Sequence, residues 1–290
     1  MKIFIAGAKG MLASDLVSIL ERQGEVVKGE LPHFDITDPE SVERHIKKTK
    51  PDIVINCAAY TEVDRAEQEA DLAFAVNSKG PQNLANVCNE IGGRLIHIST
   101  DFVFNGEQNV PYKEDDLPCP LCVYGKSKLK GERLVQSAID NHIIIRTSWL
   151  YGRNRNNFVE TIAQLAIKKE NVRVVYDQVG TPTYTKDIAE AIKNLLSVNK
   201  NGIYHFSNEG VCSRYDFAYE IVAMLRKREV PLKLKKLAPI LSKDYQTPAL
   251  RPSYTVLDKE KYKCITSKSI PHWKDGLERY FKEKNGMQDH

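Results

Sequence analysis

An α/β protein built on a doubly wound parallel sheet is what three features of this sequence predict. Short apolar runs alternate with helix-patterned stretches through the first half of its 290 residues. The first of those runs ends in a glycine loop that opens a helix. Beyond about Trp149 the alternation loosens, which marks a second, smaller C-terminal α/β lobe.

Residues 2–6 are apolar and end against a glycine, hence a buried strand. From 11 to about 22, Leu12, Leu16, Ile19 and Leu20 fall on one face at helical spacing. Asp38, with Pro39 at the first helical position, starts a helix that runs to about 48. Residues 52–56 are the next buried strand, 70 to about 90 a long helix, and 94–99 another strand. A helix from 124 to about 138 and a strand over 142–146 follow. In the second half, 172–175 and 202–206 are expected strands, and 187–198 and 214–228 expected helices. The basic, proline-punctuated stretch 227–252 is expected to be a surface excursion, with Lys233-Leu234-Lys235-Lys236 a solvated face.

Composition excludes several classes. A net charge of +4 with both signs interspersed is too mild and too patternless for a nucleic-acid partner. No apolar run approaches the roughly 20 residues that span a bilayer, and the apolar start is too short for a signal peptide. Six scattered cysteines in a chain able to build its own core read as reduced thiols, so a cytoplasmic location is expected. Cys119 and Cys122 have half the spacing of a zinc site but no second pair, and read as small side chains in a proline-rich loop.

The glycine loop has the context that gives it chemical meaning. Gly7 permits the tight turn after the first strand, and Gly10 lets backbone N–H groups approach a pyrophosphate. The helix beginning at Met11 and Leu12 adds partial positive charge, while Ala13 stands at the usual third glycine. A Rossmann-type sheet binding NADPH or NADH is therefore expected. Glu30 and Asp35 are both candidates for the acid on the adenosine ribose, and Lys9 and Lys28 lie close in sequence, so either cofactor suits. The expected division is a dinucleotide-binding domain over 1–150 and a mainly substrate-binding lobe over 151–290, some of whose segments return to the first domain.

Tyr124 and Lys128 stand at i and i+4, on one helical face. A phenol with a pKa of about 10 is a poor proton donor at neutral pH. A nearby ammonium is expected to pull it toward the working range, and to hold the nicotinamide ribose as well. Thr100, at the end of a strand, would orient the carbonyl that Tyr124 protonates.

The order of motifs resembles the extended short-chain dehydrogenase/reductases, most closely the dTDP-4-dehydrorhamnose reductase family. The segments that carry the resemblance are 7–12, 35–38, 56–61, 99–104, 124–128, 146–152, 177–183 and Arg251-Pro252, which together span nearly the whole chain. The resemblance implies reduction of the 4-keto group of a deoxythymidine diphosphate sugar. It carries the catalytic triad onto Thr100, Tyr124 and Lys128. Cofactor contacts fall on Gly7, Gly10, Met11, Leu12, Asp35, Ile36, Ala58, Ala59, Tyr60 and Asn77, with Lys9 in the same loop. Contacts to the nucleotide sugar fall on Val63, Thr100, Asp101, Trp149 and Arg251. In physical terms, Trp149 would flank a sugar ring and Arg251 would pair with a diphosphate.

Phe102 stands where that family often has tyrosine, so a hydroxyl near the sugar is missing. Phe102 also argues against a dehydratase, which needs an acid there. Some family members hold magnesium with acidic side chains at a dimer interface; Asp15 matches one such position, but the other ligands are not placed by the sequence, so no required metal is expected, and a homodimer is possible. The alternatives are another nucleotide-sugar reductase or epimerase using the same Tyr and Lys, and a non-catalytic NADP-binding regulatory subunit resembling the β subunit of methionine adenosyltransferase.

Overall fold

The computed structural model of the protein describes residues 1–198 and 200–285. Of the 151–290 stretch expected as a second lobe, residues 199 and 286–290 lie outside the described residues. The first half runs β1 (Lys2–Ala6), α1 (Met11–Leu20), β2 (Glu25–Gly29), α2 (Pro39–Thr49), β3 (Ile53–Asn56), α3 (Ala70–Phe74), α4 (Gly80–Glu90), β4 (Arg94–Thr100), α5 (Val123–Ala138) and β5 (His142–Thr147). The second continues with β6 (Leu150–Tyr151), α6 (Phe158–Lys168), β7 (Asn171–Val175), β8 (Val179–Gly180), β9 (Thr183–Tyr184), α7 (Thr185–Leu196) and β10 (Gly202–His205). Then come β11 (Cys212–Ser213), α8 (Arg214–Lys227), β12 (Lys236–Ile240), α9 (Glu260–Thr266) and α10 (Trp273–Asn285).

Six strands form one sheet in the order β10-β5-β4-β3-β1-β2, every neighbouring pair parallel. Alternation along each strand feeds two cores. Ile3 and Ile5 pack with Leu12, Leu16, Ile188 and Ile192 of α1 and α7 on one face. Phe4 and Ala6 pack with Val42, Ile46 and Leu84 of α2 and α4 on the other. This is the doubly wound α/β sheet with flanking helices that the sequence predicts. A third core, with Tyr151, Ile162, Phe217, Ile221, Trp273 and Leu277, joins α6, α8 and α10 away from the sheet.

The strand order reverses between β1 and β3: β1 connects outward to β2, and the next strand lands on the opposite side of β1. A crevice opens at the carboxyl ends of strands at such a switch point, where ligands of open α/β sheets bind.

Two elements depart from the sequence reading. The long helix expected over 70–90 is divided by a π turn at Ala75–Lys79, which turns Asn77 inward. The excursion expected over 227–252 contains β12, which pairs in parallel with β7. Lys233, Lys235 and Lys236 are exposed as expected, whereas Leu234 is buried in the third core.

Candidate active site

The glycine loop sits in the switch-point crevice. Gly7 has φ +73°, a conformation that side chains rarely adopt, and a Cβ there would lie 2.7 Å from the Ala58 nitrogen. β1 and the turn after β3 therefore approach as closely as backbone allows. Gly10 caps α1 with no side-chain partner, and no acid occupies the first turn of that helix. The first amides of α1 open into the cleft, an arrangement that fits the pyrophosphate of a dinucleotide. Lys9 is exposed, and its backbone N–H donates to the Glu30 carboxylate at 2.7 Å.

One cleft of about 460 Å³ draws together residues from both halves of the chain. Gly10, Met11, Leu12 and Ala59 line it at the glycine loop. Thr100, Asp101, Tyr124 and Lys128 lie in the same cleft. Val63, Trp149 and Arg251 complete the set brought together from the sequence reading.

The remaining expected contacts lie around this cleft rather than on its wall. Asp35 spends Oδ1 on the Thr37 N–H and hydroxyl, both at 2.8 Å, and Ile36 is buried in the core under α2. Ala58 packs against Gly7. Asn77 accepts from Tyr60 N–H at 2.9 Å, and donates to the Tyr60 carbonyl and the Ser127 hydroxyl, each at 3.0 Å. Asn77 thus ties the loop after β3 to the helix that carries Tyr124. The Tyr60 hydroxyl donates outward to Glu69 at 2.6 Å.

α5 is pressed against the end of β4. A Cβ at Gly125 would lie 2.3 Å from the Phe102 carbonyl oxygen, so only glycine lets this turn of helix come so close. Tyr124 is placed by that contact, its ring edge-on to Phe102 with centroids 5.6 Å apart. From below, Glu132 accepts from Ser99 at 2.5 Å and pairs with Arg146 at 2.7 Å, both ionic side chains almost wholly buried. This pair locks α5 to β4 and β5.

The electrostatics differ from the expectation that Lys128 would lower the Tyr124 pKa. Burial raises the Tyr124 phenol above its ordinary value, a hydrogen bond with Thr100 opposes the shift, and the Asp101 charge adds to it. Lys128 donates instead to the Ile98 carbonyl at 2.6 Å, and burial pulls its pKa down to about 8, with Glu132 opposing. Spacing sets which helical face two residues share; it does not choose the partner of a long flexible side chain. Asp101 accepts from the Thr100 hydroxyl at 3.0 Å. Burial raises its carboxyl to about 6, against the hydroxyls of Thr255 and Thr100 and the charge of Arg214.

At the far end of the cleft, Trp149 adopts φ +46°, strained for a tryptophan. Packing holds it there: its carbonyl accepts from Thr183 N–H at 3.2 Å, and the Arg214 guanidinium stacks 3.6 Å from the ring centroid. Arg251 engages Asp64 through both arms of its fork.

Arg214, Phe158, Arg155 and Cys57 also line the cleft and escaped the sequence reading. Arg214 opens α8 beside a capping box of Ser213 and Asp216, a signal that identifies a helix start and nothing more. No group of three or more potential metal-binding side chains occurs among the described residues. No described helix is long and apolar enough to cross a membrane.

The family model described as RmlD substrate binding domain matches residues 1–285. The chain is 41% identical to the spore coat polysaccharide biosynthesis protein SpsK of Bacillus subtilis (strain 168), over 99% of both chains. A crystal structure of a dTDP-4-dehydrorhamnose reductase from Clostridium acetobutylicum superposes with a TM-score of 0.93 at 38% identity, covering 98% of this chain and 100% of that one. The dTDP-4-dehydrorhamnose reductase of Bacillus anthracis, solved in complex with NADP, gives 0.92 at 36% identity over 97% and 99%.

Proposed function

The chain belongs to the RmlD substrate binding domain family, and on that premise we propose that it reduces the 4-keto group of dTDP-4-dehydro-L-rhamnose to give dTDP-L-rhamnose. It is an NAD(P)H-dependent oxidoreductase of dTDP-rhamnose synthesis. The observation that carries the reading is the convergence in one cleft of Thr100, Tyr124 and Lys128 with the glycine-loop residues Gly10, Met11 and Leu12.

When bound, the nicotinamide supplies the hydride. Tyr124 gives the proton to the 4-oxygen, and burial keeps that proton on the phenol at neutral pH until it is needed. The phenolate left behind is buried, and the Thr100 hydroxyl is the group that favours it. Thr100, in the same cleft, orients the same oxygen. Lys128 holds the nicotinamide ribose. Asp35, Ile36, Ala58, Tyr60 and Asn77 shape the dinucleotide site from behind, while Val63, Asp101, Trp149 and Arg251 face the nucleotide sugar. All six cysteines are free, which fits a cytoplasmic enzyme.

The test is incubation with dTDP-4-dehydrorhamnose, generated in situ, and NADPH or NADH in turn. Formation of dTDP-rhamnose with matching loss of reduced-nicotinamide absorbance supports the reading. Cofactor binding without sugar-dependent oxidation contradicts it.

A further inference from the structure

Two guanidinium groups reach the substrate end of the cleft, Arg214 from the start of α8 and Arg251 from the segment after β12. Their circumstances differ. Arg251 is committed to Asp64, Nη1 to Oδ1 and Nη2 to Oδ2, each at 2.9 Å. Arg214 lies over the Trp149 ring at 3.6 Å and over Phe158 at 5.3 Å. Among the described residues its guanidinium donates no hydrogen bond and joins no ion pair.

This is a half-buried cation with aromatic surfaces to hold its plane and, among the described residues, no protein acceptor for its N–H groups. Burial lowers its pKa to about 10; Asp101 favours its charge and Arg251 opposes it. Arg214 is half-buried, its guanidinium open to the cleft and so able to receive an anion. The like charge of Arg251 opposes its own, and a ligand carrying two negative charges would relieve that repulsion. The guanidinium fork matches phosphate oxygens two at a time. Stacking on Trp149 fixes the fork in advance, so little freedom is lost when the anion arrives. Trp149 is itself held on its other contact by Gly180, where an added Cβ would lie 2.8 Å from the indole.

We propose that Arg214 grips the diphosphate of the nucleotide sugar, with Trp149 as the platform that orients it. The proposal rests on the reductase reading, which supplies a nucleoside diphosphate as the ligand. Arg251 is secondary here, because its fork is already engaged by Asp64.

The test is calorimetric titration of the NADP-loaded protein with dTDP, using thymidine as the ligand without phosphates. Arg214→Gln is expected to weaken dTDP about tenfold or more and to leave thymidine unchanged. Arg214→Lys keeps the charge but not the fork and is expected to fall between the two. Unchanged dTDP affinity in Arg214→Gln, or equal losses for dTDP and thymidine, overturns the proposal. If Arg214→Gln does not fold, Arg214→Lys decides by the same comparison: selective loss of dTDP supports, none overturns. Turnover of the keto sugar by wild-type protein is measured in parallel. Absent turnover with the selective dTDP loss intact contradicts the reductase reading and leaves the assignment of Arg214 standing.

Discussion

Arg251, on the cleft wall, and Asp64 form a two-pronged ion pair, with both N···O distances 2.9 Å. The hydrogen bond to Arg251 holds the Asp64 carboxyl below its ordinary pKa, so it is charged at neutral pH. Arg251→Met leaves that carboxylate without its partner, beside the site proposed to take the diphosphate. KM for the nucleotide sugar is expected to rise about tenfold or more, and Asp64→Asn added to it to recover much of the loss. A double variant no better than Arg251→Met in steady-state kinetics would contradict this.

Gly125 gives way to the Phe102 carbonyl, so its replacement should act on both stability and chemistry. Gly125→Ala forces the start of α5 away from β4 and carries Tyr124 with it. A destabilisation of about 1–3 kcal/mol is expected from overpacking, with kcat reduced and NADPH affinity nearly kept. Chemical denaturation and titration of cofactor fluorescence check the two halves. Full kcat in the variant would mean that the contact does not position Tyr124.

Lys128 should make the protein's stability depend on alkaline pH. Its folded pKa, about 8, lies below its ordinary 10.5, chiefly because of burial. Between those values the unfolded chain binds more protons than the folded one, so this group's contribution to stability rises with pH across the window. Below about 8 the buried charge is a cost. Lys128→Met is therefore expected to be at least as stable as wild type at pH 7 and to lack the rise above pH 8, while turnover falls by orders of magnitude. Melting curves from pH 7 to 10 would contradict this if the two proteins changed in parallel.

Glu132 has no contact with the expected reacting atoms, yet it braces the helix that carries Tyr124 and Lys128. Glu132→Gln leaves Arg146 charged and almost wholly buried without its partner. A loss of about 3–5 kcal/mol is expected, visible in denaturant midpoints. A loss below about 1 kcal/mol would mean that the pair is not what holds α5.

Legibility in the sequence followed locality. The switch-point sheet, the glycine loop and the Tyr124–Lys128 spacing are each written within one βα unit, where period and turn chemistry act directly. Thr100 is legible as the end of a strand, and β4 ends there. Partners chosen across the fold were not legible. Nothing near Arg214 indicates that it stacks on Trp149, and nothing near Arg251 indicates that Asp64 takes up its fork. The i, i+4 spacing puts Lys128 and Tyr124 on one helical face but does not foretell the Lys128 bond to Ile98. β12 was missed for the same reason: a short strand containing Pro239 is stabilised by pairing with β7, not by its own pattern. The π turn at Ala75–Lys79 adds one residue to a helix whose periodicity otherwise runs on, and what it accomplishes is the inward turn of Asn77.

The claim that Tyr124 supplies the proton is tested most directly by kcat/KM of Tyr124→Phe for dTDP-4-dehydrorhamnose, with NADPH affinity measured on the same sample. Phenylalanine keeps the ring contact with Phe102 and removes only the hydroxyl. The account predicts that kcat/KM falls by a factor on the order of a hundred or more, with NADPH binding unchanged. Turnover within a few-fold of wild type would contradict it, and so would a loss of cofactor binding as large as the loss of turnover.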